Sequence, residues 1–256
     1  FRLMIAMANG IDFDIVTTDL FTAFLQAIDW PREMWLLVCL TDPETDVTGW
    51  YWMTGPIYGL QQGAHDWYQT IRKAMAQMGF TECVNAPSTY FNAEMKIRVG
   101  IHVDDPIAIC EKDKVTGKSN AQWFYDSLQS HFSCKELVFL TPGGEIDYCS
   151  MRIQMQDDGT ITLDNDRCVQ KILDDADMQD CNPSKRPLAK DMLAIVQEEY
   201  NDENFVDEEQ KTRHQHYVGE VQWLAQTTHI GIATAASIIG KYNAKPTPTC
   251  LKLDKQ

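Results

Sequence analysis

Apolar residues recur along this chain at two spacings, and the switches between them mark most of its elements. The opening stretch FRLMIAMANG is apolar without a basic lead or a small-residue cleavage site, so it reads as a helix rather than a signal peptide. IDFDIVTTDL (11–20) alternates, which puts Ile11, Phe13, Ile15 and Thr17 on one face of a strand. Asp19 continues that face at the strand's end, where an apolar residue is expected, and so suggests a site at the sheet edge. FTAFLQA turns helical, and TDPETDVTGW (41–50) is a turn-rich loop between MWLLVCL and YWM. From Gly63 the period lengthens. Ala64, Trp67, Tyr68, Ile71, Ala74, Met75 and Met78 then share one side of an amphipathic helix that Gly79 ends.

PSTYFNAEMKIRVGIHV and PIAIC predict a hairpin or meander with Asp104 and Asp105 at a turn. Pro106 has no N–H, biases Asp105 toward an extended backbone, and fits the first position of the returning strand rather than its middle. NAQWFYDSLQSHF (120–132) predicts a helix, and EIDYCSMRIQMQDDGTITLD a hairpin turning at Asp158–Gly159. DNDRCVQKILDDADM (164–178) predicts a helix with Asp or Asn at its cap. EEYNDENFVDEE (198–209) holds seven acidic residues and reads as the heart of a solvated linker near 190–212. HYVGEVQWLAQTTHIGIATAASIIGKYN closes the chain as one or two helices. Mixed strands and helices followed by a mostly helical part give an α+β class, with a boundary near residue 160.

At 256 residues and 44% apolar, the chain can bury a sizeable core in one large domain or two. No run of 18 apolar residues suggests a membrane span. The absence of an initial Met and of a polar lead-in suggests a fragment of something longer. The eight cysteines (Cys39, Cys83, Cys110, Cys134, Cys149, Cys168, Cys181 and Cys250) are never closer than 13 residues, so no CxxC motif exists. Several sit in apolar runs, which points to a reducing compartment. The net charge of −15 opposes nucleic-acid binding, and residues 1–110 alone carry 6 Lys/Arg against 13 Asp/Glu.

Against that background the run GIHVDDPIAIC is an anomaly. Two unit charges about 4 Å apart repel by about 1 kcal/mol in water and about 4 kcal/mol at an effective dielectric of about 20. A solvated turn makes this harmless; a divalent cation makes it useful. Asp19 and the Asp104–Asp105 pair can converge, and three carboxylates can hold two Mg2+ ions with positions left for phosphate oxygens. Such a pair activates a hydroxyl and stabilises a leaving pyrophosphate. Phe24 and Trp67 follow helical spacing, which leaves core and functional roles open for both. His102 alternates with apolar residues and reads as a strand histidine rather than a ligand. His214 and His216 form an HxH motif with no third ligand nearby, which predicts a solvated helix end.

Several stretches, taken together and in order, resemble one family. TTDLFTAFLQA is similar to a motif in which Asp19 is followed by Ala23 and Phe24, and IYGLQQGAHDWY carries Tyr58, Gly59, Leu60, Gln62, Trp67 and Tyr68 of LYGLKQ-x-x-x-x-WY. HVDD stands for YVDD, DYCSMRI resembles a primer grip, and TLDNDRCVQKILDDADMQDCNPSKRPL a lead-in to a thumb. With HYVGEVQWLAQTTHIGIATAASIIGKY, these resemble the reverse transcriptase of copia-type (Pseudoviridae) LTR retrotransposons over nearly the whole chain. The resemblance implies a right-hand polymerase palm with partial fingers over 1–160 and a helical thumb or connection region over 161–256. It implies RNA- or DNA-templated DNA synthesis with two Mg2+ (or Mn2+) ions on a catalytic triad of Asp19, Asp104 and Asp105. Phe24 is then the steric gate against a ribose 2′-OH. Gln62, through its amide, and Gly63, by close backbone approach, line the nucleotide pocket; His102, Tyr148 and Cys149 lie near the primer terminus. The implied partners are an RNA or DNA template with primer, dNTP, and the RNase H and integrase parts of a polyprotein, with no membrane. The implied location is a cytoplasmic virus-like particle, the nucleus, or both.

The sequence departs from the family at His102 (Tyr), at Pro106 (a strand-forming residue) and at THIGI, 228–232 (TRPDI). The family's basic fingers segment and RNase H domain fall outside the sequence in hand, and the expectation is that the isolated chain polymerises poorly. The competing expectation is a non-catalytic scaffold that binds a basic partner through its acidic surface. His102, Pro106 and the −15 charge favour the scaffold; the intact triad and Phe24 favour the enzyme.

Overall fold

The computed structural model describes every residue except 1, 9–11, 28–36, 54, 57, 183, 185, 189, 190, 255 and 256. Ile11 and the first part of MWLLVCL therefore lie outside the described residues. The chain forms two compact units, Phe1–Thr162 and Leu163–Gln256. The first runs α1 (Arg2–Met7), β1 (Phe13–Thr17), a 3-10 turn (Ala23–Gln26), β2 (Leu37–Thr41), β3 (Thr48–Trp52), α2 (Gln61–Gln77) and β4 (Thr81–Glu82). It continues through β5 (Thr89–Asn92), β6 (Ile97–His102), β7 (Asp105–Glu111), α3 (Ala121–Gln129), β8 (Val138–Leu140), β9 (Glu145–Tyr148) and β10 (Met151–Met155). After β11 (Ile161–Asp164) come α4 (Asp166–Asp175), α5 (Met192–Asn201), α6 (Glu208–Thr227), α7 (Ala233–Gly240) and α8 (Pro248–Leu253). The class is α+β, an antiparallel sheet followed by a helical region. Among the described residues no helix is long and apolar enough to cross a membrane.

Six strands pair antiparallel in the order β4-β5-β6-β7-β1-β8. One face packs on α2 and α3, where Val16, Val99, Ala108 and Cys110 join a core with Trp67, Ile71, Met75, Phe124 and Leu128. On the other face Ile15 and Ile107 are equally buried, and a Cβ on Gly100 would stand 3.3 Å from the Met4 sulfur of α1. Burial on both faces is why β7 reads as a continuous apolar run rather than an alternating one. Each large aliphatic side chain so buried contributes about 1.5–3 kcal/mol. The α2 helix buries the expected stripe except Ala64, which is exposed, and Tyr68, which is half-buried; Gly79 follows it at φ +79°, the left-handed conformation that glycine adopts without penalty.

Two expectations are corrected here. The segment 145–164 is a three-stranded meander rather than one hairpin, because a second tight turn at Cys149–Ser150 precedes the one at Asp158–Gly159. Both turn residues have positive φ (48° and 62°) without being Gly or Asn, so no turn signal announces them. The acidic stretch near 190–212 is not a solvated linker: α5 and α6 take up most of it and leave only 202–207 between them. Asp207 caps α6 by accepting the Gln210 N–H at 2.8 Å, and Glu208 and Glu209 fill the first turn, where the helix dipole favours negative charge. Glu199 accepts both the N–H (3.0 Å) and the hydroxyl (2.8 Å) of Thr249.

Candidate active site

Three chain segments meet at the end of the sheet where β1 stops and the β6–β7 hairpin turns. Beyond Thr17, the buried Thr18 donates its hydroxyl to the Lys135 carbonyl at 2.7 Å. Lys135 returns its N–H to the Asp19 carbonyl at 2.8 Å, and Leu20 bridges Cys134. The Leu20 N–H donates to the Asp104 carbonyl at 2.8 Å, which ties the Asp19 backbone to the hairpin tip.

The tip is a two-residue loop, Val103–Asp104, closed by the pair His102–Asp105. Val103 has φ +54°, at the loop position where glycine usually sits in such a turn. A β-branched residue held there costs about 1–3 kcal/mol. Trp67 restrains it: packed edge-on to Phe132 at 5.2 Å, its indole N–H donates to the Val103 carbonyl at 2.6 Å. Trp67 is thus core residue and clamp at once. Pro106 sits second in β7, not first, opposite Ile101. Its carbonyl accepts the Thr17 hydroxyl at 2.9 Å, so its nitrogen also faces β1, one residue beyond the last ladder pair Thr17–Ile107, and no ladder bond is lost.

Charge accumulates where these segments converge. Burial pushes the Asp105 carboxyl above its ordinary value, the Asp104 and Asp19 charges push it further, and His102 and Lys135 oppose the rise. The Asp19 carboxylate accepts a 2.7 Å hydrogen bond from the Lys135 ammonium, whose own pKa is raised chiefly by that bond. No motif singled out Lys135; its only signal is its place between α3 and β8. His102 is exposed at the end of β6.

The other expected site residues divide. Phe24, half-buried on the 3-10 turn, sets its ring 4.7 Å from that of Tyr58. Partial burial first, then Asp104 and Asp19, raise the Tyr58 phenol, so this pair of rings borders the carboxylates. The sequence offered Tyr58 only as part of a motif. Gly59, at φ +93°, lets the chain turn from it into α2. Tyr148 and Cys149 lie within electrostatic reach of the acids. Burial pushes the Cys149 thiol up to about 11, a hydrogen bond with Tyr148 opposes this, and the Asp105 and Asp104 charges add to the rise. The Tyr148 phenol is likewise raised, by burial, by Cys149 and by Asp105. Among the described residues, no hydrogen bond or ion pair joins Gln62 or Gly63 to the carboxylates. The Gln62 amide instead donates to Asp66 at 2.7 Å, and Gly63 is buried in the first turn of α2.

The donor set can be tested against a divalent cation. The oxygens of Asp19, Asp104 and Asp105 do not all come within 4.8 Å of one another; among the described residues only Asp175, His216 and Glu220 form such a group. Asp19 is turned onto Lys135. Even so, a carboxyl group such as Asp105, whose ionisation is made costlier by burial and by two neighbouring acids, is what a divalent cation relieves, and the all-oxygen donor set suits Mg2+ or Mn2+. The residues fit such an ion.

The family model described as reverse transcriptase (RNA-dependent DNA polymerase) matches residues 1–190. No curated protein matches the chain.

Proposed function

Because this chain belongs to the reverse transcriptase (RNA-dependent DNA polymerase) family, we propose that it is the palm and thumb core of a copia-type retrotransposon polymerase that extends a primer on an RNA or DNA template. The observation that carries this reading is the 2.8 Å hydrogen bond from Leu20 to Asp104, which joins Asp19 to an acidic pair far along the chain. Residues 1–160 would be the palm with partial fingers, and 161–256 the thumb or connection region. Asp19, Asp104 and Asp105 would hold two Mg2+ or Mn2+ ions. When bound, these supply activation of the primer 3′-hydroxyl and stabilisation of the pyrophosphate.

The protein's own groups prepare that chemistry. Lys135 neutralises Asp19 and releases it when a stronger cation arrives. The Phe24 ring, backed by Tyr58, fills the space that a ribose 2′-OH would need. His102, Tyr148 and Cys149 flank the acids on the primer side, and the Val103 carbonyl, fixed by Trp67, keeps the hairpin tip from drifting. Gln62 and Gly63 would reach the incoming nucleotide only if the Gln62 amide leaves Asp66.

A titration of the chain with Mg2+ or Mn2+, dNTP and primer–template tests this. Saturable metal-dependent binding and slow primer extension are expected, with extension lowered about a hundredfold or more in Asp104→Asn. An absence of metal-dependent binding would overturn the reading. It would leave the non-catalytic scaffold, which the −15 charge favours and which would hold a basic protein partner instead.

A further inference from the structure

The HxH stretch of α6 is not a solvated helix end. His214 is fully buried, and its Nδ1 lies 2.9 Å from the Asp254 carboxylate. His216 is half exposed and meets two carboxylates. Its Nε2 lies 3.3 Å from Glu220 Oε1, one turn later on α6, and 3.9 Å from Asp175 Oδ2 at the end of α4. The donor atoms of the three residues lie within 4.8 Å of one another.

Two features set this cluster apart from an ordinary surface ion pair. Glu220 is mostly buried, and its Oε2 has no hydrogen-bond partner. A carboxylate oxygen buried without a partner is destabilising, so Glu220 keeps an unused acceptor beside the oxygen that Lys171 occupies. The cluster is also held in place by its backbone. The Tyr217 hydroxyl donates to the Asp175 carbonyl at 2.5 Å, which fixes the end of α4 against the helix that carries His216 and Glu220. The cation beside them is Lys171, with its ammonium 2.5 Å from Glu220 Oε1 and 3.7 Å from Asp175 Oδ2. It sits on a long, half-exposed side chain that can swing away.

We propose that Asp175, His216 and Glu220 form a transition-metal site of the Zn2+ class, which Lys171 vacates when the ion enters. One imidazole and two carboxylates suit Zn2+, whereas Mg2+ and Ca2+ take oxygen donors. Tetrahedral ligation at ordinary Zn–N and Zn–O lengths puts donors about 3.4 Å apart, so the 3.3 and 3.9 Å spacings need only small side-chain adjustments. Three protein ligands leave one position for water. The ion would cross-link α4 to α6 and stabilise the helical unit in proportion to its occupancy.

The test is a Zn2+ titration of the full chain against a chromophoric chelator. Asp104→Asn/Asp105→Asn serves as the background, so that the hairpin-tip carboxylates do not contribute. One equivalent of Zn2+ is expected. Affinity should fall at least about tenfold in His216→Ala and in Glu220→Gln, since even residues that merely orient a ligand have effects of that size. It should rise in Lys171→Met, which removes the competing cation. Zn2+ should raise the thermal midpoint of the background protein but not of His216→Ala, whose half-exposed side chain is dispensable for folding. Unchanged Zn2+ affinity in His216→Ala would overturn the proposal, and so would an absence of binding.

Discussion

At the hairpin tip, Lys135 reaches Asp19 at 2.7 Å; in the helical unit, Lys171 reaches Glu220 at 2.5 Å. Each lysine stands beside a group of potential metal ligands, but the groups are assembled differently. At the tip, the acids are placed by the paths of three backbone segments, joined by main-chain hydrogen bonds between residues distant in sequence. That convergence leaves strain behind: Val103 in the hairpin tip and Cys149, whose thiol feels the Asp105 and Asp104 charges, have positive φ. In the helical cluster, His216 and Glu220 share a face through the i, i+4 spacing; no residue of α4 or α6 has positive φ, and the strained Asp177 (φ 56°) lies just past the end of α4. A strained backbone fixes three like charges where side-chain freedom alone would let them separate. Relaxed helices gather a mixed donor set and leave its final geometry to the side chains.

The largest expected effect breaks the first arrangement and spares the second. Trp67→Ala removes a buried indole and should destabilise the fold by about 3–5 kcal/mol in urea unfolding. Trp67→Phe keeps most of the packing but deletes the bond to Val103, and should cost only about 0.5–1.5 kcal/mol. The same Phe variant should weaken metal-dependent dNTP binding out of proportion to that loss and leave Zn2+ binding at His216 unchanged. If dNTP binding survives in Trp67→Phe, the strained tip holds its shape without a clamp, and the contrast between the two sites loses its physical basis.

A smaller effect of opposite sign comes from Val103→Gly. Glycine accepts φ +54° without the steric penalty, and Val103 is partly exposed, so thermal unfolding should show a gain of about 1 kcal/mol. Metal-dependent binding should weaken even so, because the relaxed loop no longer holds Asp104 in one place. A variant both more stable and equally active would show that strain at the tip has no part in positioning the acids.

The same contrast explains what could be read in the sequence. The α2 stripe, the β5–β7 strands and the anomaly of adjacent aspartates are local patterns, and Asp19 stood out because it broke an alternation. Trp67's spacing left core and functional roles open; it is core, but its indole bond to a carbonyl in another element has no period. Lys135 and Tyr58 matter through where the chain brings them, and single-residue signals do not encode that. Cys149 and Ser150 carry a turn without turn residues, since their neighbouring strands impose the conformation. The acidic run hid helix-start chemistry at Asp207 and Glu208. His216 found its remaining ligand on α4, a partner that neighbours in sequence could not supply.

The smallest effect asks whether charge crowding is what distinguishes the tip. Burial, then Asp104 and Asp19, raise the pKa of Asp105 in the folded chain above its unfolded value. The folded protein therefore holds this proton more tightly than the unfolded one. The resulting stabilisation is fully present below the ordinary carboxylate range and disappears as pH rises through the raised value. At neutral pH the ionised Asp105 is a burden on the fold, so Asp105→Asn should unfold at a higher temperature than the parent. Well below the ordinary carboxylate range both proteins carry a neutral group there, and their midpoints should converge. Saturating Mg2+ should narrow the neutral-pH gap as well, because it offers the parent a countercharge that the amide cannot exploit. Thermal midpoints taken across this pH range, with and without Mg2+, separate the outcomes. A gap that persists at low pH would trace the gain to packing, and the tip would then differ from the helical cluster in backbone strain alone.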